Sequence, residues 1–254
     1  MLVVVSPAKK LDFENPCITK QYTKPTFMKE SKALIGELQN LTSNDIAKLM
    51  KLSDKLAQLN YDRFQSFTTP FSLKNSKQAI YAFKGDTYVG LQAESLSEKD
   101  MEYAQDHLRI LSGLYGALSP LDLIQPYRLE MGTKFSVKKY KNLYEFWGSK
   151  ITDHINQAAD GSKYLVNCAS TEYFSAVKTD ELKPTLIDVH FKVKGPNGYR
   201  VVGIHAKKAR GAMAKYIIEN QVKTLDKLKK FSDLDFKFNA DLSSKTELTF
   251  TRDS

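Results

Sequence analysis

The hydrophobic positions along the chain alternate between short apolar runs and longer stretches of helical spacing. Leu2 to Val5 is fully apolar, as a strand buried on both faces requires. From Phe27 to Phe67 the spacing is helical. Leu34, Ile35 and Leu38 form one stripe, Thr42 or Ser43 caps a second helix, and Leu56, Leu59, Phe64 and Phe67 continue the pattern. Ile80 to Phe83 reads as a buried strand broken by Lys84-Gly85-Asp86. Ser97 and Asp100 predict a capping box ahead of Met101, Ala104, Leu108 and Leu111 at helical spacing. A tight turn, Ser112 to Gly116, follows. A second short helix is then expected, with Ser119 as N-cap, Pro120 at its first position and Pro126 at its end. The outline of this central stretch is helix, glycine hairpin, helix.

Tyr127 to Met131 alternates like a strand, and a helix is expected from about Asn142 to Ala159. Tyr164 to Cys168 is another short buried strand, leading through Ala169-Ser170-Thr171-Glu172 into a short helix. Thr185 to Val193 and Tyr199 to His205 predict two strands around Gly195-Pro196-Asn197-Gly198, followed by a helix to Asn220. The last twenty-odd residues suggest a closing hairpin turning at Asp241 to Lys245. No repeat, low-complexity tract or linker divides the chain, so one domain over residues 1–254 is the simpler organisation.

Composition sharpens this picture through charge. The 254 residues carry 38 basic and 29 acidic side chains, a net charge of +9. Such a surplus favours an anionic partner, although a basic protein need not have one. Between Arg200 and Lys230 stand nine basic residues against two acidic ones, so most of the surplus lies there. Lys207, Lys208 and Arg210 are expected where a strand becomes a helix, so charge and helix dipole would act on one anion. Lys9 and Lys10 follow the first strand, a frequent place for ligand contacts. Lys134, Lys138, Lys139 and Lys141 make a basic loop that is either a solvated surface or a track for a phosphate backbone. The glycines of the central bend allow backbone N–H groups to seat a phosphate, or simply a compact turn.

Cys17 and Cys168 form no disulfide framework, and His107, His154, His190 and His205 lack metal-ligand spacing. No resident metal or cofactor is expected. The N-terminal charges follow the apolar run, the wrong order for a signal peptide, and no run approaches membrane-spanning length. A reducing cytoplasm is the expected location.

Several motifs carry a family resemblance: SPAK at 6–9, FKGD at 83–86, LSGLYG at 111–116, PLDLIQPYRLEMG at 120–132, FWG at 146–148 and KKARG at 207–211. In this order, over nearly the whole chain, they resemble the YaaA family of peroxide-stress proteins. Lys10 stands where that family is expected to have a small residue such as Thr. The resemblance implies an α+β fold, a single mixed domain whose β-rich core is wrapped by helices, with a basic cleft. It implies DNA binding, with LSGLYG similar to a helix-hairpin-helix element, and a lowering of unincorporated iron under hydrogen peroxide. The expected partner is double-stranded or structurally distorted DNA, with no membrane and no obligate protein partner. The nucleic-acid contacts assigned on this reading are Lys9, Lys84, Gly113, Tyr115, Gly116, Arg128, Lys207, Lys208 and Arg210.

The alternative is an enzyme of unknown reaction on a phosphorylated or nucleotide-like small molecule. Asp86 and Glu130 are its candidate acid–base groups, with Ser112 and the same cations nearby. No Walker loop, dinucleotide fingerprint or nucleophile elbow names the reaction. Direct iron binding is a third reading, which the residue spacing does not support.

Overall fold

Four fully buried residues, Leu2–Val5, form the central strand β1. Each such side chain stabilises the fold by about 1.5–3 kcal/mol relative to exposure. In the computed structural model, which describes residues 1–16 and 18–253, β1 has a parallel partner on each side. After β1 come β2 (Lys10–Leu11), three helices α1 (Met28–Gln39), α2 (Ser43–Met50) and α3 (Asp54–Gln65), then β3 (Lys77–Gln78) and the short helix α4 (Ala79–Ala82). The chain continues through β4 (Phe83–Lys84), α5 (Asp86–Leu91), α6 (Glu98–His107), β5 (Leu108–Ser112), β6 (Gly116–Leu118) and β7 (Leu123–Ile124). Next are α7 (Leu143–Trp147), α8 (Lys150–Ala158), β8 (Tyr164–Cys168), α9 (Thr171–Phe174), β9 (Thr185–Gly195), β10 (Gly198–Arg200) and α10 (Gly203–Glu219). The chain closes with α11 (Leu225–Leu228), β11 (Lys237–Phe238) and β12 (Glu247–Arg252).

Among the described residues the main sheet has eight strands in the order β11-β12-β9-β8-β1-β5-β6, with β10 on β9. Its five inner strands, β12, β9, β8, β1 and β5, run parallel. Antiparallel β11, β6 and β10 flank them. Parallel pairing demands burial of both faces, and α10 supplies cover by packing on β1, β8 and β9. The fold is a single α+β domain with a mixed sheet and helices around it.

The local signals that held are the strong ones. Thr42 and Asp45 close a capping box on α2, and Ser97 and Asp100 close one on α6. Strands β1, β8 and β9, the helices within 27–67 and the C-terminal hairpin also lie where expected.

The central stretch is different. Helix α6 ends at His107, and Leu108 to Ser112 continue as strand β5, completely buried. The bend joins β5 to antiparallel β6, so it is a β-hairpin and not helix-hairpin-helix. Beyond it Ser119 N–H donates to the Asp122 carboxylate at 2.8 Å, as a cap does, but β7 follows instead of a helix. Ile80 to Ala82 lie in α4, where burial of every side chain removed the periodicity that separates helix from strand. Tyr127 to Met131 form no strand, and Gly148, at φ +51°, splits the expected 142–159 helix into α7 and α8. Strand β10 stops at Arg200, and His205 already belongs to α10.

Candidate anion-binding cleft

The chain leaves β1 toward β5 on one side of the sheet and leaves β8 toward β9 on the other. Such a reversal of strand order opens a crevice at the carboxyl ends of the two strands. Here the crevice is a cleft of about 420 Å³. Its floor is Ser6, just after β1, with Cys168 and Ser170 at and after the end of β8. Ser170 N–H donates to Ser6 Oγ at 2.8 Å, which ties the two strand ends together. The 6–10 loop contributes Lys9 and Lys10 to the walls, and the 84–87 segment contributes Lys84, Asp86 and Thr87. Glu130, Glu172 and Tyr173 add another side, and α10 contributes Lys207 and Arg210.

The cations differ in how free they are. Lys9 sits 2.6 Å from Glu130, which also lies 3.3 Å from Arg128. Lys84 sits 2.6 Å from Glu94 and 3.7 Å from Asp12. Lys207 and Arg210, three residues apart on one face of α10, make no hydrogen bond or ion pair with a described residue. Burial pulls the Arg210 guanidinium below its ordinary pKa. An anion is the natural complement of such a half-buried guanidinium.

Cys168 faces Arg210 from the floor. Burial pushes its thiol up to about 12, with Arg210 opposing only in part. A thiol so buried is held protonated and reacts slowly. Native protein is therefore expected to resist alkylation and hydrogen peroxide at Cys168, with full labelling only after denaturation. Mass spectrometry of iodoacetamide-treated protein checks this, and rapid native labelling at Cys168 would refute it.

Not every expected site residue reaches the cleft. Asp86, Glu130, Lys9, Lys84, Lys207 and Arg210 converge on it. Lys208 does not line it, and its carbonyl instead faces Gly90 across the α5–α10 crossing. Arg128 lines a small hollow next to the cleft with Lys9 and Glu130. Gly113, Tyr115 and Gly116 are buried and correct the expectation of an exposed amide seat. Tyr115 N–H donates to Ser112 Oγ, and Trp147 Nε1 donates to the Gly113 carbonyl, both at 3.0 Å. Ser112 Oγ bonds the Tyr127 hydroxyl at 2.7 Å, deep in the core. The supposed helix dipole is also displaced. Lys207 and Arg210 lie beyond the first turn of α10, where the dipole has faded.

Sequence reasoning missed Ser6, Cys168, Ser170, Glu172 and Tyr173. The rule that pointed to the loop after β1 applies equally to Ala169–Glu172 after β8, and it finds Ser170 and Glu172. A larger hollow of about 940 Å³ adjoins the cleft and shares Lys10, Lys84, Gly85 and Asp86 with it. Its Asp12 carboxyl is held far below the carboxylate range, first by hydrogen bonds from Asn15 and further by Lys77. Carboxylates outnumber cations in that hollow, four to two, whereas the smaller cleft has five cations to three carboxylates and is the better anion site.

Fold and cleft together define a class: a mixed α+β protein with a charged crevice at the switch point of a largely parallel sheet. The chain belongs to the peroxide stress protein YaaA family, whose model matches residues 1–242. It is 51% identical to a UPF0246 protein of Aliivibrio fischeri strain MJ11, over 100% of this chain and 98% of that protein. It is 51% identical to one of Shewanella amazonensis and 53% identical to one of Psychromonas ingrahamii, each over 100% of this chain and 99% of the relative.

Proposed function

We propose that this protein binds DNA in the cytoplasmic response to hydrogen peroxide and limits oxidative damage by lowering unincorporated iron. One observation carries the binding step: the Lys207 and Arg210 side chains face an open cleft with no hydrogen-bond or ion-pair partner among the described residues. The phosphate contact passes from the buried glycine bend to these cations, with Lys9 and Lys84 released from Glu130 and Glu94 as an anion enters. Contacts of this kind supply affinity without reading sequence, and they depend steeply on salt. Among the described residues no three His, Cys, Asp or Glu side chains gather as a metal site would need. No described helix is long and apolar enough to cross a membrane.

Lys207→Ala with Arg210→Gln is expected to weaken duplex binding and flatten its log–log salt dependence by about 2, near 0.9 per lost phosphate contact. Fluorescence anisotropy across a salt series measures both. An unaltered slope removes the two residues from the interface.

A second reading is favoured by the carboxylates. Asp86, Glu130 and Glu172 share a small cleft with cations, which suits general acid–base chemistry on a phosphorylated or nucleotide-like small molecule. On this reading Glu130→Gln abolishes protection against peroxide while duplex affinity is kept. Full protection by that variant rules out acid–base chemistry at Glu130.

A further inference from the structure

A second groove, of about 420 Å³, lies away from the cleft and shares no residue with it. Helix α1 forms one side with Lys29, Glu30 and Ala33. The 137–140 turn and the α7–α8 segment form the rest. Its floor is apolar and aromatic. Tyr140 meets Phe146 edge to face, with ring centroids 5.7 Å apart. Its rim is cationic: Lys29, Lys138, Lys139 and Lys150.

None of these four lysines has a carboxylate within ion-pair distance among the described residues. The ammonium of Lys139 stands 5.5 Å from the Tyr140 ring centre and that of Lys150 stands 5.8 Å from the Phe146 ring centre. The turn that presents Lys138 and Lys139 is pinned by a reciprocal pair of backbone bonds between Val137 and Tyr140, both 2.9 Å. Glu30 is the single acidic residue on the rim.

We propose that this groove holds a short stretch of single-stranded nucleic acid, with a base on Tyr140 and the flanking phosphates on the lysine rim. Three features favour that ligand. A half-exposed ring on an apolar floor offers a stacking face that suits any base once the exposed Lys139 ammonium over it turns to a phosphate. The rim carries more cations than one phosphate needs, as a backbone with successive charges requires. Every rim cation is a lysine, which serves phosphate as a point charge and so tolerates the varied positions of a flexible backbone. The inference rests on this groove's own residues and does not depend on the cleft.

The test uses the full chain and a labelled oligothymidylate of about eight nucleotides, within the span of one stacking platform. Lys29→Glu, Lys138→Glu and Lys139→Glu combined should weaken binding more than about tenfold at low salt. They should also flatten the salt slope by about 2, near 0.7 per phosphate on a single strand. Glu30→Gln should tighten binding severalfold, a gain that misfolding does not produce. Tyr140→Leu should weaken oligothymidylate but leave an abasic phosphodiester chain unaffected. The inference falls if the triple variant keeps wild-type affinity and slope, if Glu30→Gln gives no gain, or if Tyr140→Leu leaves oligothymidylate affinity unchanged. It falls too if polyglutamate of matched charge competes as well as oligothymidylate, since the groove is then a general anion surface. The cleft variant Lys207→Ala with Arg210→Gln should leave oligothymidylate binding to the groove intact, so the two sites fail or stand separately.

Discussion

Gly211→Ala is expected to destabilise the protein by about 2 kcal/mol, against the usual benefit of alanine in a helix. A β-carbon at Gly211 would stand 1.7 Å from the Thr87 carbonyl oxygen and 2.8 Å from the Leu91 nitrogen. Across the same crossing, a β-carbon at Gly90 would stand 1.9 Å from the Lys208 carbonyl oxygen. These are backbone atoms, so no side-chain rotation relieves the contact and α5 must move off α10. Overpacking of that kind costs about 3 kcal/mol, and helix propensity returns only about 1. Gly36 in α1 is the control, because a β-carbon there meets nothing within 4 Å. Gly36→Ala should therefore stabilise by about 0.5–1 kcal/mol. Urea unfolding midpoints at unchanged m give both signs. Equal stability of the two variants would mean that the helices do not cross as closely as described.

That crossing also explains how the cleft is built. It holds α5, whose first residue is Asp86, against the helix that carries Lys207 and Arg210. The KGD and KKARG motifs are distant in sequence and adjacent in space because two glycines let their helices touch. Gly211→Ala should therefore impair anion binding beyond its loss of stability, by shifting one cleft wall against the other.

The same distinction, between a glycine that frees the backbone and one that makes room, marks what the sequence could tell. Gly113 and Gly116 suggested an open turn for phosphate. Gly116 does take a positive φ, +71°, but both glycines are also fixed by space: a β-carbon on Gly113 would stand 2.3 Å from the Leu129 carbonyl oxygen, and one on Gly116 2.8 Å from the Trp147 ring. Local pattern does not report what another segment will place against a glycine. The fully apolar strand β1, the short strand β8, a cap at Thr42 and the box at Ser97 were readable because their signals are local. The buried run Ala79–Phe83 was not, since a segment covered on all sides loses the polar positions that reveal its period. Lys9 and Glu130 were legible as polar groups near element ends, but their pairing at 2.6 Å depends on the sheet bringing residue 9 beside residue 130.

Acidification from pH 6.5 to 4 is expected to remove about 3 kcal/mol of stability through His154. Burial, with a smaller contribution from Arg109, holds the His154 imidazole at about 4 in the folded protein, against an ordinary 6.5. Its Nε2 is buried with no hydrogen-bond partner among the described residues, and its ring meets Phe27 edge to face at 5.5 Å. Between these two values the unfolded chain binds a proton at His154 that the folded chain does not. The derivative of unfolding free energy with pH is therefore positive, and stability falls as pH falls. His107, also depressed by burial, adds in the same direction. Asp122, raised first by burial, opposes it near the bottom of the range, because the folded state then takes up its proton more readily. His154→Phe keeps a flat ring beside Phe27 and removes the titration. Its unfolding free energy should fall much less over the same range, leaving mainly the His107 contribution. Urea titrations of both proteins at several pH values read the difference, and equal acid sensitivity would show that the His154 imidazole is not shielded in the folded state.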